Sequence, residues 1–222
     1  GLIVQSMILQ SFSHSVSSLM ISKMQGNIVD ILYAPLSAFE VSFAIILAAI
    51  CRSVLIGAIS TIVFLFLVDL PVNNVFYILY ASLFGSFFIG SLGFITGLWA
   101  TKFDHTATIT NFIMQPLAFL SGVFYTIDKL PSFFQSISYF NPFFHIINIF
   151  RYGFLGVSDG DMFFGMIYLP SLSIIGWFIA YTLYKNGYKI KTWTCLHLQK
   201  IIIVEKFLLK KEKVVSFILQ RV

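Results

Sequence analysis

Five long apolar runs limit what this chain can become more than any other feature. They cover about Gly1–Ile21, Val41–Val68, Val75–Thr101, Thr106–Tyr125 and Met162–Tyr184. Each approaches or exceeds the roughly 20 residues a helix needs to cross a bilayer. In water, 26 Phe and 10 Tyr on 222 residues with only 10% charged side chains would leave large aggregating patches. In lipid the same residues are ordinary, and the mean hydropathy of +0.90 agrees. The expected class is an all-α integral membrane protein with about five transmembrane helices.

Gln5, Ser6, Gln10, Ser11, Ser13, His14, Ser15, Ser17 and Ser18 dilute the first run. A helix this polar does not face lipid all round, so it belongs inside a helix bundle. The third run carries Ser82, Ser86 and Gly90, then Gly93 and Gly97, at the four-residue spacing that lets helix backbones approach closely. Two readings stay open for it: a tight subunit or intra-bundle contact, or the general frequency of Gly in membrane helices. Arg52 stands well inside the second run, facing a wet interior or snorkelling to the nearer interface. Asn111 and Gln115, one turn apart before Pro116 in the fourth run, either bond across helices or line a pathway.

Between the fourth and fifth runs, residues 121–156 are strongly aromatic but interrupted by Pro131, Asn141, Pro142 and Arg151. Membranes accept such backbone only where protein covers it, where it lines a cavity, or at the interface. Short re-entrant or interfacial helices are therefore expected before the last span. Tyr125, Phe133, Phe134, Tyr139, Phe140, Phe143 and Phe144 read as an interfacial aromatic belt, with a gate or substrate-sorting surface as the functional version.

Charge sets the orientation. Lys23, Lys102 and the cluster from Lys185 to Arg221 fall on alternate connections sharing one side, and nine of fourteen Lys and Arg follow Tyr184. By the positive-inside rule that side is cytoplasmic, with Gly1 outside and the C-terminus inside. Asp69, Asp128, Lys129, Arg151, Asp159 and Asp161 then lie outside. A first helix that starts outside without a secretory signal implies an upstream span, making six with both ends cytoplasmic. The basic excess reads as a lipid-facing flank and not as a nucleic-acid surface. Cys51 and Cys195 form no disulfide framework.

On the cytoplasmic side, residues 22–40 join the first two spans. Gly26 and Asn27 form a turn, Asn27 is a candidate N-cap for a short helix from Ile28, and Pro35 stops that helix. Ser37 and Glu40 have capping-box spacing for the next span. A short amphipathic helix here suits docking of a soluble partner, or is a plain interfacial connector.

No G-x-x-x-x-G-K-[ST] loop occurs in the sequence, so this device for cradling nucleotide phosphates is missing. His14, His105, His145 and His197 lack ligand spacing. Asp159-Gly160-Asp161 is a polar turn and not a calcium loop. The sequence therefore offers no motif for enzymatic, metal or cofactor chemistry of its own.

The run LMISKMQGNIVDILYAPLSAFE and the later FLSGVFYTIDKLPSFFQSISYFNPFFHIINIFRYGF resemble the permease subunits of type 2 ABC transporters, especially bacterial polysaccharide and drug exporters. The resemblance covers about residues 1–191. It implies a bacterial inner-membrane protein, an ABC ATPase partner that binds ATP and Mg, and a second permease copy. It also makes Gln25, Gly26, Asn27, Ile28, Val29, Asp30 and Leu32 the ATPase-coupling helix. Ser121, Gly122, Phe124, Tyr125, Leu130, Pro131, Asn141, Pro142 and Arg151 become landmarks of paired external helices that gate or seal the exit.

Three features depart from that family. Thr126 stands where it often has Pro, its N-terminal interface helix and first span are absent, and residues 192–222 have no counterpart. That tail, with Ile201, Val204, Leu208, Val215, Ile218 and Val222 near one stripe, reads as a basic amphipathic helix or an accidental extension. Two other functions compete with the exporter. A secondary transporter needs intramembrane acids that the five runs essentially lack, and a degenerate permease fragment would only associate with membranes.

Overall fold

A computed structural model describes residues 1–27, 35–67, 71–123, 138–158 and 160–188, and all regular structure among them is helical. The helices are α1 (Leu2–Gln25), α2 (Ala38–Leu67), α3 (Val75–Trp99), α4 (Phe103–Ile109), α5 (Gln115–Phe119), α6 (Pro142–Leu155) and α7 (Met162–Lys185). A π-helical turn, Thr110–Met114, joins α4 to α5. By length and composition α2, α3 and α7 can each cross a membrane. Helix α1 has 24 residues but is too dilute in apolar side chains to meet the same measure.

The central helix is α3, packed against α1, α2, α6 and α7. The contact with α1 explains both of their sequences. Val4, Met7, Ile8, Ser11, Phe12, Ser15, Val16, Leu19, Met20 and Lys23 form the buried stripe of α1, which repeats at helical spacing. They close on the small residues of α3. A Cβ on Gly93 would lie 2.7 Å from the Phe12 carbonyl oxygen, and one on Gly97 would lie 3.1 Å from Leu19 Cβ. The small-residue stripe is thus an intra-bundle seam, and the first run does sit in the bundle.

Serines complete the seam. Ser11 Oγ donates to the Ser86 carbonyl at 2.8 Å, Ser53 Oγ lies 2.8 Å from Ser86 Oγ, and Ser53 Oγ also reaches the Met7 carbonyl at 3.0 Å. Hydroxyls that would be costly against lipid are thereby paired.

Local rules set the helix ends. Ser37 and Glu40 make the reciprocal capping box, with Ser37 N–H donating to Glu40 Oε2 at 2.7 Å and Glu40 N–H to Ser37 Oγ at 3.2 Å. Asn74, Asn141 and Asp161 cap α3, α6 and α7 through their side-chain oxygens. Gly26 closes α1 at φ 82, a left-handed conformation that suits glycine.

Helix α6 has 14 residues, about 21 Å at 1.5 Å per residue, too short for a hydrocarbon core of about 30 Å. Residues 143–150 are all buried, so it is inserted between α3 and α7. This corrects part of the expected aromatic belt. Tyr139 and Phe140 are exposed, but Phe143 and Phe144 are 1% and 2% exposed and belong to the core. On a 14-residue helix packed on two sides, these rings face protein.

Candidate functional site

The landmarks gather at the two ends of α1. Its 24 residues span about 36 Å. At the first end, Gly1 stands against Val123, where an added Cβ would lie 2.5 Å from the Val123 carbonyl oxygen. At the second, Lys23 reaches Gly97, Leu98 and Ala100.

The first end brings together Ser121, Gly122, Asn141, Pro142 and Arg151. After α5 the chain turns, with Gly122 at φ 76, a value glycine adopts without strain. Asn141 is 6% exposed and uses its whole amide. Its Oδ1 accepts from Phe143 N–H at 3.1 Å, and its Nδ2 donates to the Leu117 carbonyl at 2.9 Å and to Ser121 Oγ at 3.0 Å. Ser121 in turn donates to the Leu117 carbonyl. Pro142 occupies the first position of α6, where its missing N–H costs nothing. Nine residues on, Arg151 donates from Nη2 to the Gly122 carbonyl at 2.7 Å. Two side chains of the re-entrant segment thus tie down the end of α5. Phe124, Tyr125, Leu130 and Pro131 lie outside the described residues, as do Phe133 and Phe134 of the expected belt.

His145 extends this region. Its Nε2 lies 2.8 Å from the Tyr139 carbonyl, and its buried Nδ1 has no partner. A carbonyl only accepts, so Nε2 carries a proton, and burial with no partner at Nδ1 favours the neutral ring. Phe144, Phe164 and Tyr168 surround it with ring centroids 5.0–5.4 Å away. Burial pushes its pKa down, and the bond to Tyr139 opposes that.

At the second end, Gln25 and Asn27 are exposed and bonded to each other at 3.2 Å, on either side of Gly26. Ile28, Val29, Asp30 and Leu32 lie outside the described residues.

The intramembrane polar residues belong to neither end. Arg52 is exposed near the middle of α2. Side chains lean toward a helix N-terminus, which for Arg52 is the end shared with Lys23, and it lies within Coulombic reach of His14 on α1. Asn111 is exposed within the π turn and Gln115 is half-buried, and neither makes an interhelical side-chain hydrogen bond among the described residues. Opposite the seam, α1 turns Ser6, Gln10, Ser13 and Ser17 outward, with Ser6 and Ser13 exposed and Gln10 and Ser17 half-buried. Between α2, α3 and α6 lies an open groove of ≈ 300 Å³, lined by Val54, Gly57, Thr61, Ile78, Phe150 and Phe154 among others.

The sequence that builds these two anchored ends matches a known family. The family model described as ABC-2 type transporter covers residues 1–155, from α1 through α6. The chain belongs to the ABC-2 type transporter family. It is 30% identical over 181 residues to the inner membrane transport permease YadH of Escherichia coli K12, covering 80% of this chain and 71% of that protein. It is 35% identical over 89 residues to BexB, a capsule polysaccharide export inner-membrane protein of Haemophilus influenzae, covering 40% of this chain and 33% of BexB. Nodulation protein J of Rhizobium leguminosarum bv. viciae is 35% identical over 66 residues, 30% of this chain and 26% of that protein. As an ABC-2 chain it is a membrane transport permease.

Sequence reasoning missed two residues of this ABC-2 chain. Lys23 served only as a charge for orientation, although it is 1% exposed. His145 was weighed only as a metal ligand. For Lys23 a signal existed: a lone cation in the last turn of a Ser-rich helix, three residues before its closing glycine. For His145 there was none, because its partner is a backbone carbonyl.

Proposed function

We propose that this chain is the membrane-spanning subunit of an ATP-driven exporter. It works with a separate ABC ATPase that binds ATP and Mg, and with a second copy of itself. Residues 25–32 form the coupling segment on the cytoplasmic side, the C-terminus lies on that side too, and the re-entrant segment closes the outer end. The cargo is amphipathic: lipid-linked, polysaccharide or drug-like.

The observation that carries this reading is the face of α1 opposite the seam. Ser6, Gln10, Ser13 and Ser17 point away from the bundle, and hydroxyls and amides are poorly placed against hydrocarbon. A second copy facing this stripe would enclose a polar path, with Arg52 beside it. The apolar groove between α2, α3 and α6 offers room for the hydrophobic part of an amphipathic cargo.

Purification of the full chain in mild detergent tests the reading. An ATPase subunit should co-purify, and changing Gly26 or Asp30 should lower the ATP hydrolysis coupled to export. Recovery of the permease without an ATPase, together with export that survives ATP depletion, would overturn it.

A further inference from the structure

Lys23 Nζ donates to the carbonyls of Gly97 at 2.7 Å, Leu98 at 2.6 Å and Ala100 at 3.4 Å. An ammonium has only N–H bonds to give, and backbone carbonyls are what it meets here. The last carbonyls of α3 have no partners within their own helix, and the negative end of a helix favours a cation. The side chain therefore caps a helix 74 residues away in the sequence.

What it joins matters more than the cap itself. On one side, Gln25 begins the coupling segment two residues later, and Gly26 N–H returns to the Lys23 carbonyl at 3.4 Å. On the other, the chain leaves α3 at Ala100 and enters α4 at Phe103. Trp99 and His105 span that corner with rings 5.5 Å apart. Beyond it lies the π turn that carries Asn111, the kind of irregularity often found where helices do work. The glycines and the Ser11–Ser86 bond hold α1 against α3 along the middle of the seam. The directional bonds of Lys23 fix the register at its far end.

We propose that Lys23 is a positioning residue that locks the end of α1 at Gln25, from which the coupling segment starts, to the α3–α4 corner, so that displacing that end carries α4 with it. This rests on the coupling role proposed above for residues 25–32.

Spin labels at Gln25→Cys and Lys102→Cys test it, with Cys51 and Cys195 changed to Ser. The full chain is studied in lipid nanodiscs with the ATPase that co-purifies, with and without AMP-PNP. With the labelled chain diluted into unlabelled chain, the expected result is one narrow distance, the same in both states, for Lys23 and for Lys23→Arg. Lys23→Met should lose that narrow distance and become nucleotide-dependent. A distance that moves with AMP-PNP in the unaltered chain overturns the proposal and needs no Lys23 variant. So does Lys23→Met behaving like the unaltered chain. If no ATPase co-purifies, the exporter reading fails, while the nucleotide-free comparison of Lys23, Arg and Met still decides the lock.

Discussion

The Tyr80 hydroxyl donates to the carbonyl of Met166, the one that Pro170, inside α7, leaves without its helical partner. Proline has no N–H to return to the carbonyl four residues earlier. A phenol from α3 fills the vacancy and fastens the last helix to the central one. Losing that donor should cost about 1–2 kcal/mol. Tyr80→Phe is expected to lower the unfolding midpoint in detergent. In a Pro170→Ala background, where the N–H returns, the loss should shrink below about 0.5 kcal/mol. Equal losses in both backgrounds would refute the pairing.

Asn141 should prove sensitive to its exact chemistry. Asn141→Ala removes a cap and two donated bonds and is expected to cost about 2–3 kcal/mol. Asn141→Asp keeps the cap but sets a carboxylate against the Leu117 carbonyl, so it should do no better than Ala. Thermal unfolding of the purified variants checks this. A fully stable Asp variant would mean that Nδ2 contributes nothing.

The seam makes a prediction by contrast. A Cβ at Gly93 would meet the Phe12 backbone at 2.7 Å, whereas one at Gly176 has its nearest neighbour at an ordinary 3.5 Å. Gly93→Ala should destabilise by about 1–3 kcal/mol through overpacking. Gly176→Ala should be neutral or gain up to about 1 kcal/mol from reduced backbone freedom. Folded yield and unfolding midpoint report both.

His145 predicts a pH dependence. Its folded pKa lies below the ordinary 6.5 because burial disfavours the cation. The unfolded chain therefore binds a proton first as pH falls. The contribution is fully present above about pH 6.5 and is lost as pH drops below it toward the folded pKa. His145→Gln keeps a donor for the Tyr139 carbonyl without titrating. The difference in unfolding midpoint between the two proteins should grow on acidification, and a constant difference would argue against the assignment.

The elements were largely legible because their signals are local. Hydropathy marked α2, α3 and α7, the Ser37–Glu40 spacing marked a real capping box, and Gly26 marked the end of α1. Of the landmarks given by family resemblance, Ser121, Gly122, Asn141 and Arg151 meet one another in the fold, while Phe124, Tyr125, Leu130, Pro131 and residues 28–32 lie outside the described residues. The belt was misread for Phe143 and Phe144 because aromatic content is the same at an interface and in a core. Only packing tells the two apart.

The sequence alone determined that this chain lives in lipid, where α2, α3 and α7 run, and that α1 must hide one face. Those follow from transfer energy, helical period and capping, which act within a few residues. Tertiary structure decided which groups meet across the fold: Lys23 with the end of α3, Tyr80 with the carbonyl freed by Pro170, and Asn141 with Ser121. Each joins positions 20 to 86 residues apart. A polar group buried in a membrane protein must find some partner, and only the packing of the helices selects which one.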